Sequence, residues 1–137
     1  MAFFRIVNCK EIKKALMLGC WPPSDRDNNP YNAGEVVFMF DYENAYDMIN
    51  RYGSMSAQLR DEIDKIFVLY FDFNGNDVEI DKSQSGMPES RVCRGFVDLD
   101  KIKCIGYCDV ICSNPGNFDV SELNFFDKHK TIKEVCE

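Results

Sequence analysis

Three cysteines, Cys104, Cys108 and Cys112, recur every fourth residue and raise the chemistry of metal or cluster ligation. Structural zinc sites pair their ligands a few residues apart in two separate knuckles, often completed by histidine. The one imidazole here, His129, sits in the polar run Asp127-Lys128-His129-Lys130. Along a strand, the same even spacing sets the three thiols on one face, where cysteine behaves as a small buried hydrophobe. Asp77, Glu79 and Asp81 alternate in the same way. They suit either a divalent cation or a charged edge that discourages strand pairing. A serine or cysteine nucleophile needs a base beside it, and one histidine in a polar stretch is a poor provider. Phosphate-binding loops, nucleophile elbows and glycine-rich strand-to-helix turns do not occur.

The elements that must position these side chains follow from local signals. Phe3 to Val7 is aromatic and β-branched and predicts a first strand. Asn8 can cap a helix, with Glu11 as the reciprocal half of a capping box, Ile12, Ala15 and Leu16 on one face, and Gly19 as the stop. Trp21-Pro22-Pro23 to Asn32 is loop chemistry, and a loop of that length in a small domain is often functional. Glu35 to Phe40 predicts a buried strand, and Asp41 caps a second helix over Asn44 to Arg51, with another starting near Ser56. Ile66 to Phe73 is the strongest strand, returning through an Asn74-Gly75 hairpin turn into Asp77 to Asp81. Lys82 to Pro88 is a loop, Arg91 to Val97 is extended, Asp98 opens a short helical turn to Ile102, and Lys103 to Cys112 is a strand. Helix is favoured for Val120 to Val135. The sum is an α+β fold with a mixed or mainly antiparallel sheet and two to three helices in the N-terminal half. The β-α alternation stops too early for a doubly wound dinucleotide fold.

At 137 residues, with 45% hydrophobic side chains and no linker or repeat, the chain is expected to form a single domain over residues 1–137. No apolar run is long enough to span a bilayer, and Met1 to Arg5 is not a basic leader followed by an apolar stretch, so a cytoplasmic protein with no membrane partner is expected. Seven cysteines, an odd number, point to reduced thiols rather than a disulfide framework. A net charge of −7 argues against a general nucleic-acid coat protein. It suits ordinary solubility or an acidic face that blocks the basic groove of a partner.

The order of segments carries a resemblance. An Arg on the first strand, a helix ending in Gly, a Pro- and Asn-rich loop, an apolar strand running into Asp and a short helix, then a Ser/Gly loop ending in Glu resembles the ADP-ribosyltransferase fold. Pro88-Glu89-Ser90-Arg91 through Ile102 is similar to the acid-strand-turn ending of the DNA-modifying toxin branch, and Val78 to Asp81 with Ser90-Arg91 to the rifampin-modifying branch. Val37 to Asp41 with Asn44-Ala45-Tyr46 is similar to the strand and helix beside the nicotinamide. The resemblance spans about residues 3 to 110. It implies small sheets forming a cleft that takes NAD as co-substrate. By the same resemblance Arg5 contacts the pyrophosphate or ribose, Tyr46 stacks on the nicotinamide, and Phe38 stands where several members carry a tyrosine. Glu89 is the catalytic acid that holds a ribose hydroxyl as nicotinamide leaves, with Ser90 beside it. The implied activity is transfer of ADP-ribose to a protein or nucleic-acid target by a toxin or a phage or bacterial effector.

Each residue also has a plainer role. Arg5 can pair with an acidic neighbour, Tyr46 can be a half-buried helix aromatic, and Glu89 can be a surface acid. Two other functions fit the same residues: a non-catalytic acidic inhibitor that grips a protein partner through aromatic anchors on the Trp21–Tyr31 loop, and a reader that binds ADP-ribose-type ligands without turnover.

Overall fold

The computed structural model describes residues 2–41, 65–83, 88–109 and 123–135. Within them the chain is a small α+β protein built on antiparallel sheet. Strand β1 (Ala2–Asn8) leads straight into helix α1 (Cys9–Leu18), followed by β2 (Cys20–Trp21), β3 (Val36–Asp41) and β4 (Lys65–Asp72). Then come β5 (Val78–Ile80), β6 (Ser90–Arg94), β7 (Val97–Asp98), β8 (Ile102–Asp109), β9 (Asn124–Thr131) and a four-residue helix, α2 (Ile132–Val135). Seven strands form one sheet in the order β5-β6-β3-β1-β4-β8-β9, every neighbour antiparallel, and β2 pairs with β7 in a separate ribbon.

Local signals set the first turn of chain. The Asn8 side chain accepts the Glu11 N–H at 2.9 Å, satisfying one of the donors a helix start leaves open, and Gly19 closes α1 in the left-handed region at φ 78°. The Glu11 carboxylate goes not to the Asn8 N–H that a reciprocal capping box requires but to Arg5, at 3.5 Å. Ile12 and Ala15 are fully buried against one face of the sheet, together with Phe3, Val7, Phe67, Leu69 and Phe71. Each large apolar side chain buried there contributes about 1.5–3 kcal/mol. Trp21 stands edge-on to Phe71, with centroids 6.0 Å apart at 88°, so the β2–β7 ribbon is pinned to the same core.

Two expectations are corrected. Asn74-Gly75 does not make a hairpin: Asn74 is extended (φ −69°, ψ 143°) rather than at positive φ, and Gly75–Asp77 forms a 3-10 turn. Both sides of β4 are already filled, by β1 and β8, so β5 has no place beside it and pairs with β6 at the far edge of the sheet. Likewise the C-terminal segment is strand over Asn124–Thr131, with helix only in Ile132–Val135. Within Asn124–Thr131 Phe125 and Phe126 are the only large apolar residues, too few for a helical stripe, and the open edge of β8 supplies hydrogen-bond partners instead.

The pairing of β4 with β8 slips at Ile105, since Cys104 registers with Leu69 and Gly106 with Val68. This bulge interrupts the two-residue alternation on which the expectation of one thiol face rested. Cys104 itself is fully buried, while the Cys108 side chain and all of Cys112 lie outside the described residues. The second helix and Tyr46 lie outside them as well. Among the described residues no helix is long and apolar enough to cross a membrane.

Candidate functional site

β1 is paired with β4 at seven positions, Ala2 to Asn8, but with β3 at only two, Phe3↔Asp41 and Phe4↔Phe40. Past Phe4 the ladder between β1 and β3 ends, and the next residue is Arg5. Its guanidinium reaches into that seam, Nη1 donating to the Phe38 carbonyl at 3.0 Å and Nη2 facing the Glu11 carboxylate at 3.5 Å. A side chain thus supplies a hydrogen bond where backbone pairing has stopped, and the α1 cap holds the acid that orients it. The Arg5 Nε is buried with no hydrogen-bond partner. Leaving such a donor unsatisfied costs about 1–3 kcal/mol.

Beside this seam lies a cavity of about 360 Å3, within the range of about 300–1,000 Å3 typical of small-molecule sites. Its apolar wall is Trp21, Pro22 and Pro23, and its cations are Arg5, Lys14 and Arg26, set against Glu11 and Asp25. The loop that closes it is fixed by backbone bonds, Ser24 N–H to Val36 O at 2.9 Å and Gly34 N–H to Ser24 O at 2.7 Å. Lys14 meets Asp25 at 3.9 Å between α1 and the loop, an exposed pair that water screens. The arrangement can bind an anion through guanidinium N–H groups while its carrier rests on the two prolines.

The other expected residues are placed differently. Phe38 gives its carbonyl to Arg5, while its ring joins Tyr31, Val36 and Val92 in a separate cluster, edge-on to Tyr31 at 5.9 Å. Glu89 is half-buried in the turn before β6, and its carbonyl accepts the Asp41 N–H at 3.0 Å, which extends the β3–β6 ladder by one bond. The Ser90 hydroxyl is turned to Asp81 Oδ2 at 2.7 Å and is buried. Arg5, Phe38 and Glu89 therefore stand on or against three neighbouring strands, β1, β3 and β6. The backbones at Arg5 and Glu89 are two strand spacings apart across the sheet, about 10 Å, and offset along it as well. Glu89 is not among the described residues that line the cavity.

Sequence reasoning missed Arg91. Its Nη1 donates to Pro88 O at 2.7 Å and Ser90 O at 2.9 Å, and its Nη2 lies 3.9 Å from Asp41, so it braces the turn that presents Glu89. Only the β3–β6 register brings Asp41 to it.

The carboxylates proposed as a cation face are engaged elsewhere, Glu79 with Arg94 at 2.8 Å and Asp81 with Ser90 and the Ser83 N–H. Among the described residues no group of three His, Cys, Asp or Glu side chains is arranged to hold a metal. Burial pushes the Cys93 thiol up and the Cys104 thiol up to about 11, so neither is a ready nucleophile. Trp21 and Tyr31, expected as exposed anchors of a recognition loop, are buried at 3% and 5% exposure. The Tyr31 hydroxyl accepts the Lys82 N–H at 2.9 Å, tying the loop to the segment that follows β5. Their apolar area is spent inside the fold, which removes the anchors of the acidic-inhibitor reading. No protein-family model, curated protein or solved structure matches the chain.

Proposed function

We propose that the protein is an ADP-ribosyltransferase-like domain that takes NAD as co-substrate and transfers ADP-ribose to a macromolecular target. The observation that carries this reading is the seam. The strands bearing Arg5, Phe38 and the Glu89 turn lie side by side, and the ladder stops between the first two, beside a cavity lined by Arg5. Such a place suits the NAD pyrophosphate, with Arg5 exchanging the long Glu11 contact for phosphate oxygens. In the reaction the bond between the nicotinamide nitrogen and ribose C1′ breaks, nicotinamide leaves with the bonding pair, and a target nucleophile bonds to C1′ and gives up its proton. Glu89 holds a ribose hydroxyl and stabilises the positive charge that develops on the sugar. Orientation and charge placement suffice for this, without an activated serine or cysteine.

Incubation of the protein with NAD, with released nicotinamide measured by mass spectrometry, tests the reading. Release is expected, and Glu89→Gln is expected to lower it roughly a hundredfold or more at unchanged melting temperature. Equal release by the variant would overturn the role of Glu89.

One observation favours a second reading. Glu89 stands apart from the Arg5 cavity, which suits a domain that binds an ADP-ribose-type ligand without turnover. Binding of ADP-ribose with no nicotinamide release would select it.

A further inference from the structure

At the opposite end of the sheet, the start of β4, strands β8 and β9 and helix α2 enclose a groove of about 200 Å3. Its floor is a run of rings, Phe67 to Tyr107 at 6.0 Å between centroids and Tyr107 to Phe126 at 5.7 Å, each pair tilted by just over 30°. Phe67 is buried, while Tyr107 and Phe126 are partly open to solvent. An ammonium stands over each open ring, Lys65 Nζ 4.9 Å from the Tyr107 centroid and Lys130 Nζ 4.4 Å from that of Phe126. Neither lysine forms an ion pair among the described residues. The acid on the groove wall, Glu134, accepts the Thr131 N–H at 2.7 Å and hydroxyl at 2.9 Å and keeps its charge near Lys130.

We propose that this groove docks single-stranded nucleic acid, a base displacing the two ammoniums from the faces of Tyr107 and Phe126 and the displaced Lys65 and Lys130 meeting the flanking phosphates. Aromatic rings with flexible cations at hand are what unpaired bases and their backbone require, and a base face on each ring replaces a contact that an exposed ammonium makes only weakly. A duplex keeps its base faces stacked and cannot offer them, and an acidic peptide would meet the lysines but leave the rings unused. On a chain of net charge −7, two phosphate contacts make a weak and salt-sensitive grip rather than a coat. With each neutralised phosphate contributing about −0.7 to the slope of log affinity against log salt, a fourfold rise in salt lowers affinity about sevenfold.

The test is fluorescence anisotropy of a labelled oligothymidylate at low salt, without NAD, so that its outcome is separate from that of the Arg5 cavity. Saturable binding is expected. Phe126→Ala should weaken it roughly tenfold, Phe126→Tyr should retain it, and joint Lys65→Glu and Lys130→Glu should remove it, each variant being checked for an unchanged melting transition. Lys82→Glu, a charge reversal away from the groove, should leave binding intact. The proposal is overturned if no binding occurs, if Phe126→Ala binds as tightly as wild type, or if duplex DNA or polyglutamate binds equally well. Loss of binding in Arg5→Ala would also overturn it by moving the oligonucleotide to the other end of the sheet.

Discussion

The two sides of β1 were built for different purposes. Toward β4 the strand is laddered at every residue from Ala2 to Asn8, and side chains there, Leu69 and Phe71 among them, are wholly buried. Toward β3 the ladder stops after two pairs, and a charged side chain stands at the opening. A strand can therefore serve as the axis of a core on one side and as the wall of a site on the other. The difference lies in how many backbone groups are paired and how many are left to side chains or ligands.

That contrast can be broken most severely on the β4 side. Phe71→Ala removes a ring that touches both Trp21 and Phe73 and is expected to cost about 3–5 kcal/mol in urea unfolding. Cys104, also on the well-packed side, gives a pH signature. Its folded thiol ionises only near 11 because burial disfavours the thiolate, against 9.0 for an ordinary thiol. The folded state thus holds its proton more tightly, so the stability this group contributes is intact below pH 9 and is lost as pH rises toward 11. Wild type should lose up to roughly 2–3 kcal/mol across that window that Cys104→Val does not.

Smaller effects sharpen the seam. Asn8→Ala removes the cap that places Glu11 and should cost about 1 kcal/mol, measured by thermal unfolding. Arg5→Ala should change stability least, by less than about 1 kcal/mol, since the carbonyl it leaves at the seam can be met by water while its own unsatisfied Nε is removed. A large loss in urea unfolding would make Arg5 part of the core instead of the site.

The first strand, the cap at Asn8 and the stop at Gly19 were legible because each signal is local: a β-branched run, a side-chain acceptor, a residue free to take positive φ. The pairing of Arg5 with an acid was legible too, although its partner was read as half of a capping box. The place of β5 was not, because Asn74-Gly75 carries no information about which edges of β4 are taken. The Arg91–Asp41 contact and the ring run at Phe67, Tyr107 and Phe126 were hidden for the same reason, since residues far apart in sequence meet only through strand register. The seam itself is invisible in the sequence: nothing in Phe4-Arg5-Ile6 says that β3 will part from β1 there.

The central claim is that this seam holds an anionic dinucleotide through Arg5. Thermal unfolding of wild type and Arg5→Ala with and without NAD tests it most directly, because a ligand that binds only the folded state raises stability by mass action. The account predicts a rise in melting temperature with NAD that is absent in Arg5→Ala. An equal rise in both proteins, or none in wild type at millimolar NAD, would contradict it.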